Sequence, residues 1–367
     1  MSQPKPDRVP GEIASVTDYI PYACERVTEA AWAYLNAGAG DGFTAADNIS
    51  AFQRLKLLPN AMCATERAST QVTLLGQTFL HPIMLAPVAY QKLAHPDGEI
   101  ASALGASAMG AAMVVSTQAS YTLEQISLRS KTPLWFQLYL QPALENTLQL
   151  VRRAEAAGYQ ALVVTVDAPI NGLRNEEQRS GFRLPDDIQA VNLPVTPAAS
   201  TAQATLHQRL SGPLLTSVPT WESLAQLTAQ TRLPVLATGI THPADAERAL
   251  RAGCAGIIVS NHGGRVLDGV PAAIDLLPSV ASAVGKDVPV LLDGGIRRGT
   301  DIVKALALGA RAVLIGRAQV YGLATAGAAG VAHVLHILRT ELEMAMLLTG
   351  RVRIEEIDSS LLWNANG

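Results

Sequence analysis

The sequence is poor in charged residues. Asp, Glu, Lys and Arg make up 16% of its 367 residues, whereas an average soluble protein contains roughly 25%. Hydrophobic residues make up 49%, so the chain needs a large interior, and an α/β barrel ringed by helices provides one. The net charge is only −3, which gives no reason to expect nucleic acid or an anionic membrane as a partner.

Cysteine is scarce, and its positions form no recognisable site. Cys24, Cys63 and Cys254 are widely spaced, with no CxxC pair and no spacing typical of metal ligands. We therefore expect three buried free thiols in a reducing cytoplasm and no metal site.

Targeting signals and long apolar runs are also missing. The first residues, MSQPKPDRVPGE, contain prolines and acids where a signal peptide has its apolar stretch. The most apolar segments, 305–315 and 323–338, are interrupted by Arg311 or by His333 and His336. Neither approaches the ~20 clean residues that a membrane span requires. The last four residues, NANG, are not a peroxisomal signal, so we expect a cytoplasmic protein.

Eight short apolar runs are present, and most are separated by segments with helical periodicity. Short runs bounded by Gly, Pro or Asp are typical of parallel strands buried on both faces. Several intervening segments end on a glycine, at Gly158, Gly253 and Gly309, as expected of left-handed helix C-caps. Eight strands alternating with helices predict an α/β protein with a (β/α)8 TIM barrel rather than an open doubly wound sheet. The runs are Ile83–Ala86, Ala112–Ser116, Leu134–Tyr139, Ala161–Val166, Pro234–Ala237, Ala255–Ser260, Val288–Leu292 and Ala312–Ile315.

Two segments lie outside this repeat. Residues 1–80 predict an N-terminal helical segment with a small strand at 71–75 that caps the base of a barrel formed by 81–350. Residues 184–220 are rich in Pro, Ala, Ser and Thr and show no periodicity. This long loop follows the fourth strand, so we expect a lid over the carboxyl ends of the strands. Residues 351–367 form a C-terminal tail.

Glycine-rich segments follow the seventh and eighth runs. DGGIRRG at 293–299 leaves the seventh run, and Gly316 and Arg317 leave the eighth. The corresponding loops of TIM barrels form a recurrent phosphate site. Glycines let backbone N–H groups approach a phosphate, and arginine can bind it with two hydrogen bonds. The alternative is a pair of tight turns with surface arginines.

A second candidate site follows the sixth run, in the segment SNHGGR at 260–265. His262 lies between small residues at a strand end and has a pKa suited to a general base, although a lone histidine is more often structural. Asp167 ends the fourth run and could orient that histidine. Arg174 and Arg265 could together bind a carboxylate, but Arg174 could equally be a solvated loop residue.

Together these residues resemble the FMN-dependent 2-hydroxy acid oxidase and dehydrogenase family, which includes glycolate, lactate and mandelate oxidases. The resemblance runs from about Asp18 to Leu348 and is weak only across the predicted lid. Its motifs, in family order, are APVAYQKLAHPDGE, WFQLY, SNHGGR-LD, LLDGGIRRGTD, KALALGA and IGR. It implies an FMN enzyme that oxidises an (S)-2-hydroxy acid to the 2-oxo acid, passes electrons to dioxygen and forms a homotetramer.

The resemblance also implies a role for each candidate residue. His262 would take the substrate proton, either from the 2-hydroxyl during hydride transfer or from carbon 2 to leave a carbanion. Core packing is the alternative for Tyr34 and Tyr139. The implied catalytic residues are His262, Tyr34, Tyr139 and Asp167, and the implied substrate-binding residues are Arg174, Arg265 and Gln118. The implied FMN-binding residues are Pro87, Val88, Ala89, Ser116, Gln137, Thr165, Thr238, Ser260, Asp293, Gly295, Arg297, Gly316 and Arg317.

Two positions depart from the family pattern. Thr238 stands where relatives carry a lysine beside flavin N1, and Gln118 stands where glycolate oxidases carry a tryptophan. Tyr90 and Asn171 are further predicted pocket residues. Two other functions therefore stay open. One is a dehydrogenase with a quinone or cytochrome acceptor, although 184–220 lacks the apolar segment of membrane-bound relatives. The other is an FMN-binding barrel with weak or non-redox activity, which only Thr238 supports.

Overall fold

Eight parallel strands close into a barrel in the computed structural model, which describes residues 8–64, 66–194 and 218–363. The predicted TIM barrel is confirmed. The strands are β1 Val72–Leu74, β2 Gln77–Phe79, β3 Ile83–Leu85, β4 Met113–Val115, β5 Leu134–Leu138, β6 Ala161–Thr165, β7 Val235–Ile240, β8 Gly256–Val259, β9 Val290–Asp293 and β10 Ala312–Ile315. The order of the strands around the barrel is β10-β3-β4-β5-β6-β7-β8-β9.

Helices cover the outside of the barrel. Three of them, α1 Tyr19–Arg26, α2 Glu29–Asn36 and α3 Phe43–Arg54, precede the strands. The others are α4 Gly98–Met109, α5 Leu123–Ser127, α6 Leu144–Ala156, α7 Asn175–Arg179, α8 Trp221–Thr228, α9 Pro243–Arg251, α10 Ala273–Val284, α11 Gly299–Ala307 and α12 Arg317–Thr349. Short 3-10 turns occupy Val16–Asp18, Gln91–Leu93, Ile354–Glu356 and Ser359–Leu361. Gly158, Gly253 and Gly309 have φ values of +83°, +91° and +107°, as expected of helix ends.

The barrel strands are buried on both faces, which explains why their sequences are continuous apolar runs rather than alternating ones. One set of side chains fills the barrel interior, and the other packs outward against the helices. The antiparallel hairpin β1–β2 packs against the side chains that fill the barrel interior. Its residues Leu74 and Phe79 belong to that cluster, and the ring centroids of Phe79 and Trp135 are 6.3 Å apart. The sequence predicted the first strand of this hairpin but not the second.

Helix α12 is long, buried and broken. Ala326 and Gly327 have non-helical backbone angles, so two helices meet within its 33 residues. Within the described ranges it is long and apolar enough to cross a bilayer, and 72% of its most apolar window is buried inside the protein. The buried core helix of a globular protein has the same length and composition, so this observation is only weak evidence for a membrane span.

The prediction of three buried cysteines is wrong for two of them. Cys254 is buried, which raises the pKa of its thiol to about 12, whereas Cys24 and Cys63 are exposed. Helix α1 buries Tyr19 and Ala23, and because successive residues of a helix point about 100° apart, Cys24 faces outward. All three thiols are free.

The segment after β6 contains one element that the sequence did not predict, the single-turn helix α7. Of the predicted lid, residues 184–194 and 218–220 contain neither helix nor strand, and residues 195–217 lie outside the described ranges. The described tail after α12 runs back along the N-terminal segment. Leu362 forms an isolated β-bridge with Leu57, and Arg353 forms one with Ser69.

Candidate active site

A cavity of about 340 Å³ opens at the carboxyl ends of the barrel strands. Its lining contains all the residues predicted for the catalytic, substrate-binding and FMN-binding sets except Asp167, which contacts the lining residue His262. Tyr90 and Asn171 line it as well. Segments far apart in sequence are brought together here because the carboxyl ends of all eight strands meet at one rim.

His262 is held by an aspartate from a different strand end. Its Nδ1 lies 3.1 Å from Asp167 Oδ1, and its backbone adopts the left-handed conformation with φ of +58°. Gly239 allows the aspartate to approach, since a Cβ on that glycine would lie 2.4 Å from the carboxylate carbon of Asp167. With the aspartate accepting the proton on Nδ1, His262 Nε2 carries the lone pair of the neutral imidazole.

Two arginines converge on the same side of the cavity. Arg265 donates to the carbonyls of Ala37 and Tyr34, each at 2.8 Å. Arg174 donates to Glu177 at 2.6 Å, and Arg265 lies 3.7 Å from the same carboxylate oxygen. Burial lowers the pKa of Arg265, and the adjacent Arg174 lowers it further. The sequence could not show this convergence, which makes the pair suitable for binding a carboxylate.

Aromatic rings form one wall beside these arginines. The ring of Tyr34 stacks on Phe182 at 4.6 Å and lies 5.9 Å and 5.4 Å from the guanidinium carbons of Arg174 and Arg265. Burial raises the pKa of the Tyr34 and Tyr139 phenols well above the usual value. Both phenols are therefore neutral hydrogen-bond donors at pH 7.

Polar side chains connect the ends of β4, β5 and β6. The Gln137 amide donates to Thr165 at 2.9 Å and accepts from Ser116 at 3.2 Å. Thr238 lies beside Thr165 in the sheet register and is 8% exposed, so the position expected to carry a lysine in relatives holds a neutral, nearly buried hydroxyl. The backbone of Pro87, Val88 and Ala89 lines the cavity nearby.

Only one of the two predicted phosphate loops presents a free helix terminus to the cavity. The backbone N–H groups of Arg297 and Arg298 donate to Asp301, and that of Gly299 donates to Glu341, so the start of α11 is closed by acids. By contrast, Gly316 and Arg317 at the start of α12 line the cavity. A helix N-terminus favours an anion.

Arg317 is partly buried and bonded to three backbone carbonyls. It donates to Asn36, Ala37 and Gly263 at 2.8–3.0 Å. Burial, followed by the charge of Arg265, lowers the pKa of Arg317 to about 9. Arg297 also lines the cavity, so four arginines of the described part of the chain surround it. An anion bound among them would relieve their mutual repulsion.

A buried acceptor without a partner lies at the same end. Asp293 Oδ1 has no hydrogen-bond partner among the described residues, and burial raises the pKa of this carboxyl to about 6 although Ser260 donates to it. A ligand hydroxyl would satisfy this atom. FMN, which carries a polyhydroxy chain and a phosphate, therefore fits both Asp293 and the arginine cluster.

Two functional candidates escaped the sequence reasoning. Glu177 lines the cavity between the arginines, and Phe182 forms the stacking partner of Tyr34. An acid three residues after Arg174 is the spacing of a helical ion pair, so Glu177 could have been found had helix α7 been predicted. No pattern pointed to Phe182. Across 8–64, 66–194 and 218–363, no group of three or more His, Cys, Asp or Glu is placed to hold a metal.

Comparisons with known proteins agree with this geometry. The FMN-dependent dehydrogenase family matches residues 23–364. An L-lactate oxidase of Alicycliphilus denitrificans is 46% identical over 97% of this chain and 98% of its own length. The human 2-hydroxyacid oxidase 1 is 39% identical over 95% of both chains. A crystal structure of mandelate oxidase with (S)-2-phenylpropionate is 37% identical, with a TM-score of 0.86 over 96% of this chain and 98% of that one. The chain belongs to the FMN-dependent dehydrogenase family, within its 2-hydroxy acid oxidases, and its cofactor is FMN.

Proposed function

We propose that this protein oxidises an (S)-2-hydroxy acid to the 2-oxo acid and passes the electrons from reduced FMN to dioxygen. The observation that carries the proposal is the convergence of the His262–Asp167 pair with Arg174 and Arg265 on one cavity. The similar proteins named L-lactate oxidase and 2-hydroxyacid oxidase support it.

Each group has a definite task in this reaction. The two arginines hold the substrate carboxylate, and because arginine stays charged the hold persists across the working pH range. His262 Nε2 takes the proton, while Asp167 stabilises the imidazolium that forms. The neutral phenols of Tyr34 and Tyr139 donate hydrogen bonds to the developing negative charge. FMN, when bound, supplies the acceptor for the electron pair.

Anaerobic bleaching of the yellow protein tests the reaction. We expect at least one (S)-2-hydroxy acid among glycolate, lactate, mandelate and longer aliphatic acids to reduce the flavin. His262→Ala should abolish bleaching and leave the flavin spectrum nearly unchanged, while His336→Ala, on the exposed side of α12, serves as the control. Bleaching of His262→Ala at the normal rate would show that the base is misassigned. If none of these acids reduces the flavin, the alternative of an FMN-binding barrel with weak or non-redox activity would be favoured.

The electron acceptor is tested separately. Oxygen uptake should accompany turnover without any artificial acceptor. If turnover appears only when a dye, quinone or cytochrome is added, the protein is the dehydrogenase of the alternative proposal.

We also propose that the protein is a cytoplasmic homotetramer. Light scattering after size exclusion should give about four times the chain mass of 38.7 kDa. A mass equal to one chain would contradict the tetramer, and cell fractionation would test the location.

A further inference from the structure

A pair of buried asparagines joins the N-terminal segment to the loop that carries His262. Asn48 lies in α3 and is 2% exposed, and Asn261 directly precedes His262 and is 5% exposed. Each amide donates to the other: Asn48 Nδ2 lies 2.8 Å from Asn261 Oδ1, and Asn261 Nδ2 lies 2.9 Å from Asn48 Oδ1. The two side chains therefore satisfy each other's hydrogen-bonding groups inside the protein.

Both amides also bind backbone groups of the loop that follows β8. Asn261 Oδ1 accepts from the N–H of Gly264 at 3.1 Å, and Asn261 Nδ2 donates to the carbonyl of Pro271 at 3.0 Å. Asn48 Oδ1 accepts from the N–H of Ala273 at 3.0 Å. The pair thus fixes both the beginning and the end of this loop.

The backbone of His262 needs such support. Its φ of +58° lies in the left-handed region, which is unfavourable for a residue with a side chain and persists only when the surrounding structure enforces it. The bonds of Asn261 hold the loop just before the histidine and, through Gly264, two residues after it. Because Asp167 contacts the imidazole from a different strand end, a shift of this backbone would separate the two side chains.

Asn48 also lies against the glycine-rich segment after β9. A Cβ on Gly295 would come within 1.9 Å of the Asn48 carbonyl oxygen, and one on Gly294 would lie 3.4 Å from the Asn48 side chain. One residue of α3 therefore packs between the loop of the histidine and the loop predicted to bind phosphate. Asn48 itself does not line the cavity, so it can act on a bound substrate only through these loops.

We propose that Asn48 is a positioning residue for the base, acting through Asn261 to hold the backbone of His262 in its left-handed conformation. The proposal rests on the proposed function insofar as His262 is the base that takes the substrate proton. It adds a residue outside the cavity to the groups on which flavin reduction depends. The role requires an amide, because the side chain must donate to one oxygen and accept from two N–H groups at once.

Asn48→Asp and Asn48→Ala separate the donor of this amide from the rest of the side chain. An ionised aspartate keeps the acceptor but places a second oxygen against Asn261 Oδ1, whereas a protonated aspartate can donate to that oxygen again. Burial and the facing oxygen should raise the pKa of the new carboxyl above its usual value. The matched control is Asn192→Asp, since Asn192 is 4% exposed, donates to the carbonyl of Tyr121 at 3.1 Å and does not line the cavity.

Anaerobic flavin reduction would be measured from about pH 5.5 to about pH 8.5, at saturating concentrations of the acid that reduces the unmodified protein fastest. Asn48→Ala should be at least about tenfold slower than the unmodified protein at every pH, because small displacements of a reacting group cost this much. Asn48→Asp should show the same loss at high pH and recover at least about fivefold, relative to the unmodified protein, toward low pH. Asn192→Asp should reduce the flavin at nearly the normal rate.

Hydrogen exchange gives a second readout that needs no turnover. In the FMN-loaded protein, the peptide covering residues 261–273 should exchange faster in Asn48→Ala than in the unmodified protein. The reason is that the side chain accepting from Ala273 is removed and the one accepting from Gly264 loses its partner. Peptides from α6, on another side of the barrel, should exchange as before.

Normal reduction rates in both Asn48 variants would overturn the proposal. An Asn48→Asp rate that stays at one fraction of the unmodified rate across the pH range would also overturn it, because Asn48 would then act by packing rather than through its hydrogen bond. Faster exchange throughout the protein would point to general destabilisation and count against it equally. If no acid reduces the unmodified protein, the proposed function fails, and unchanged exchange of 261–273 would show separately that Asn48 does not hold the loop.

Discussion

Replacing Thr238 by lysine should raise the two-electron reduction potential of bound FMN. From the family resemblance we expect this residue to lie beside flavin N1, at a position where relatives would carry a lysine and where reduced flavin carries negative charge. Thr238 is 8% exposed and lies within β7 on the cavity wall, so a new ammonium group there would be poorly screened by water.

The size of the effect follows from Coulomb's law. A unit charge at ~4 Å and an effective dielectric constant of ~20 contributes about 4 kcal/mol. Asp293 lines the same cavity and would take part of this attraction, so we expect about 2–4 kcal/mol, which corresponds to roughly 40–90 mV for a two-electron couple. Substrate-driven bleaching should become faster for the same reason.

A redox titration against a dye of known potential measures the shift. Thr238→Met is the matched control, since methionine has a similar length and no charge. An upward shift in Thr238→Lys but not in Thr238→Met is the expected result. If the potential of the lysine variant does not rise above that of the methionine variant, another cation or a helix N-terminus already stabilises the reduced flavin, and the electrostatic reasoning is refuted.

Three further predictions concern neighbouring residues. Gly239→Ala should slow flavin reduction at least tenfold at saturating substrate, because its Cβ would displace Asp167 from His262; a normal rate would show that this contact is dispensable. Arg265→Lys should weaken oxamate binding despite the retained charge, since a single ammonium cannot replace the planar fork, and an unchanged dissociation constant would contradict the clamp. In FMN-free protein, the raised pKa of Asp293 means that the folded state binds its proton more tightly than the unfolded state, so this carboxyl lowers stability as pH rises from about 4 to about 6. Across that interval the unmodified protein should lose up to about 3 kcal/mol of its free energy of unfolding, and Asp293→Asn should not show this loss. Parallel plots of unfolding free energy against pH for the two proteins would contradict this.

The barrel strands were predictable because their burial on both faces leaves a local record in the sequence. The runs between Ile83 and Ile315 are mainly apolar, and most have glycine, proline or aspartate at or next to one end. Strand β2 was missed because Gln77–Phe79 is short and only Phe79 of its three residues is buried. Helix α7 was missed for a related reason, since Asn175–Arg179 is polar throughout and buries no residue.

The site was predictable in composition but not in its contacts. Motifs at strand ends pointed to His262 and to the arginines, because loops at the carboxyl ends of barrel strands share one rim. The hydrogen bonds from Arg265 and Arg317 to carbonyls of Tyr34, Asn36 and Ala37 span more than 200 residues of sequence. Carbonyl acceptors leave no trace in residue identity, so no pattern could have revealed these bonds.

The same hydrogen bonds can form only late in the synthesis of the chain. The segment from Tyr34 to Ala37 leaves the ribosome early. The arginines that donate hydrogen bonds to its carbonyls are synthesised only after about three quarters of the chain. Until then the early helices have no partner for these carbonyls, and the long-range closure makes folding slow. Nascent chains that end before Arg265 should therefore expose α2 to protease, while completed chains protect it. We therefore expect the last barrel strand and the first helices to become stable together, at the end of synthesis.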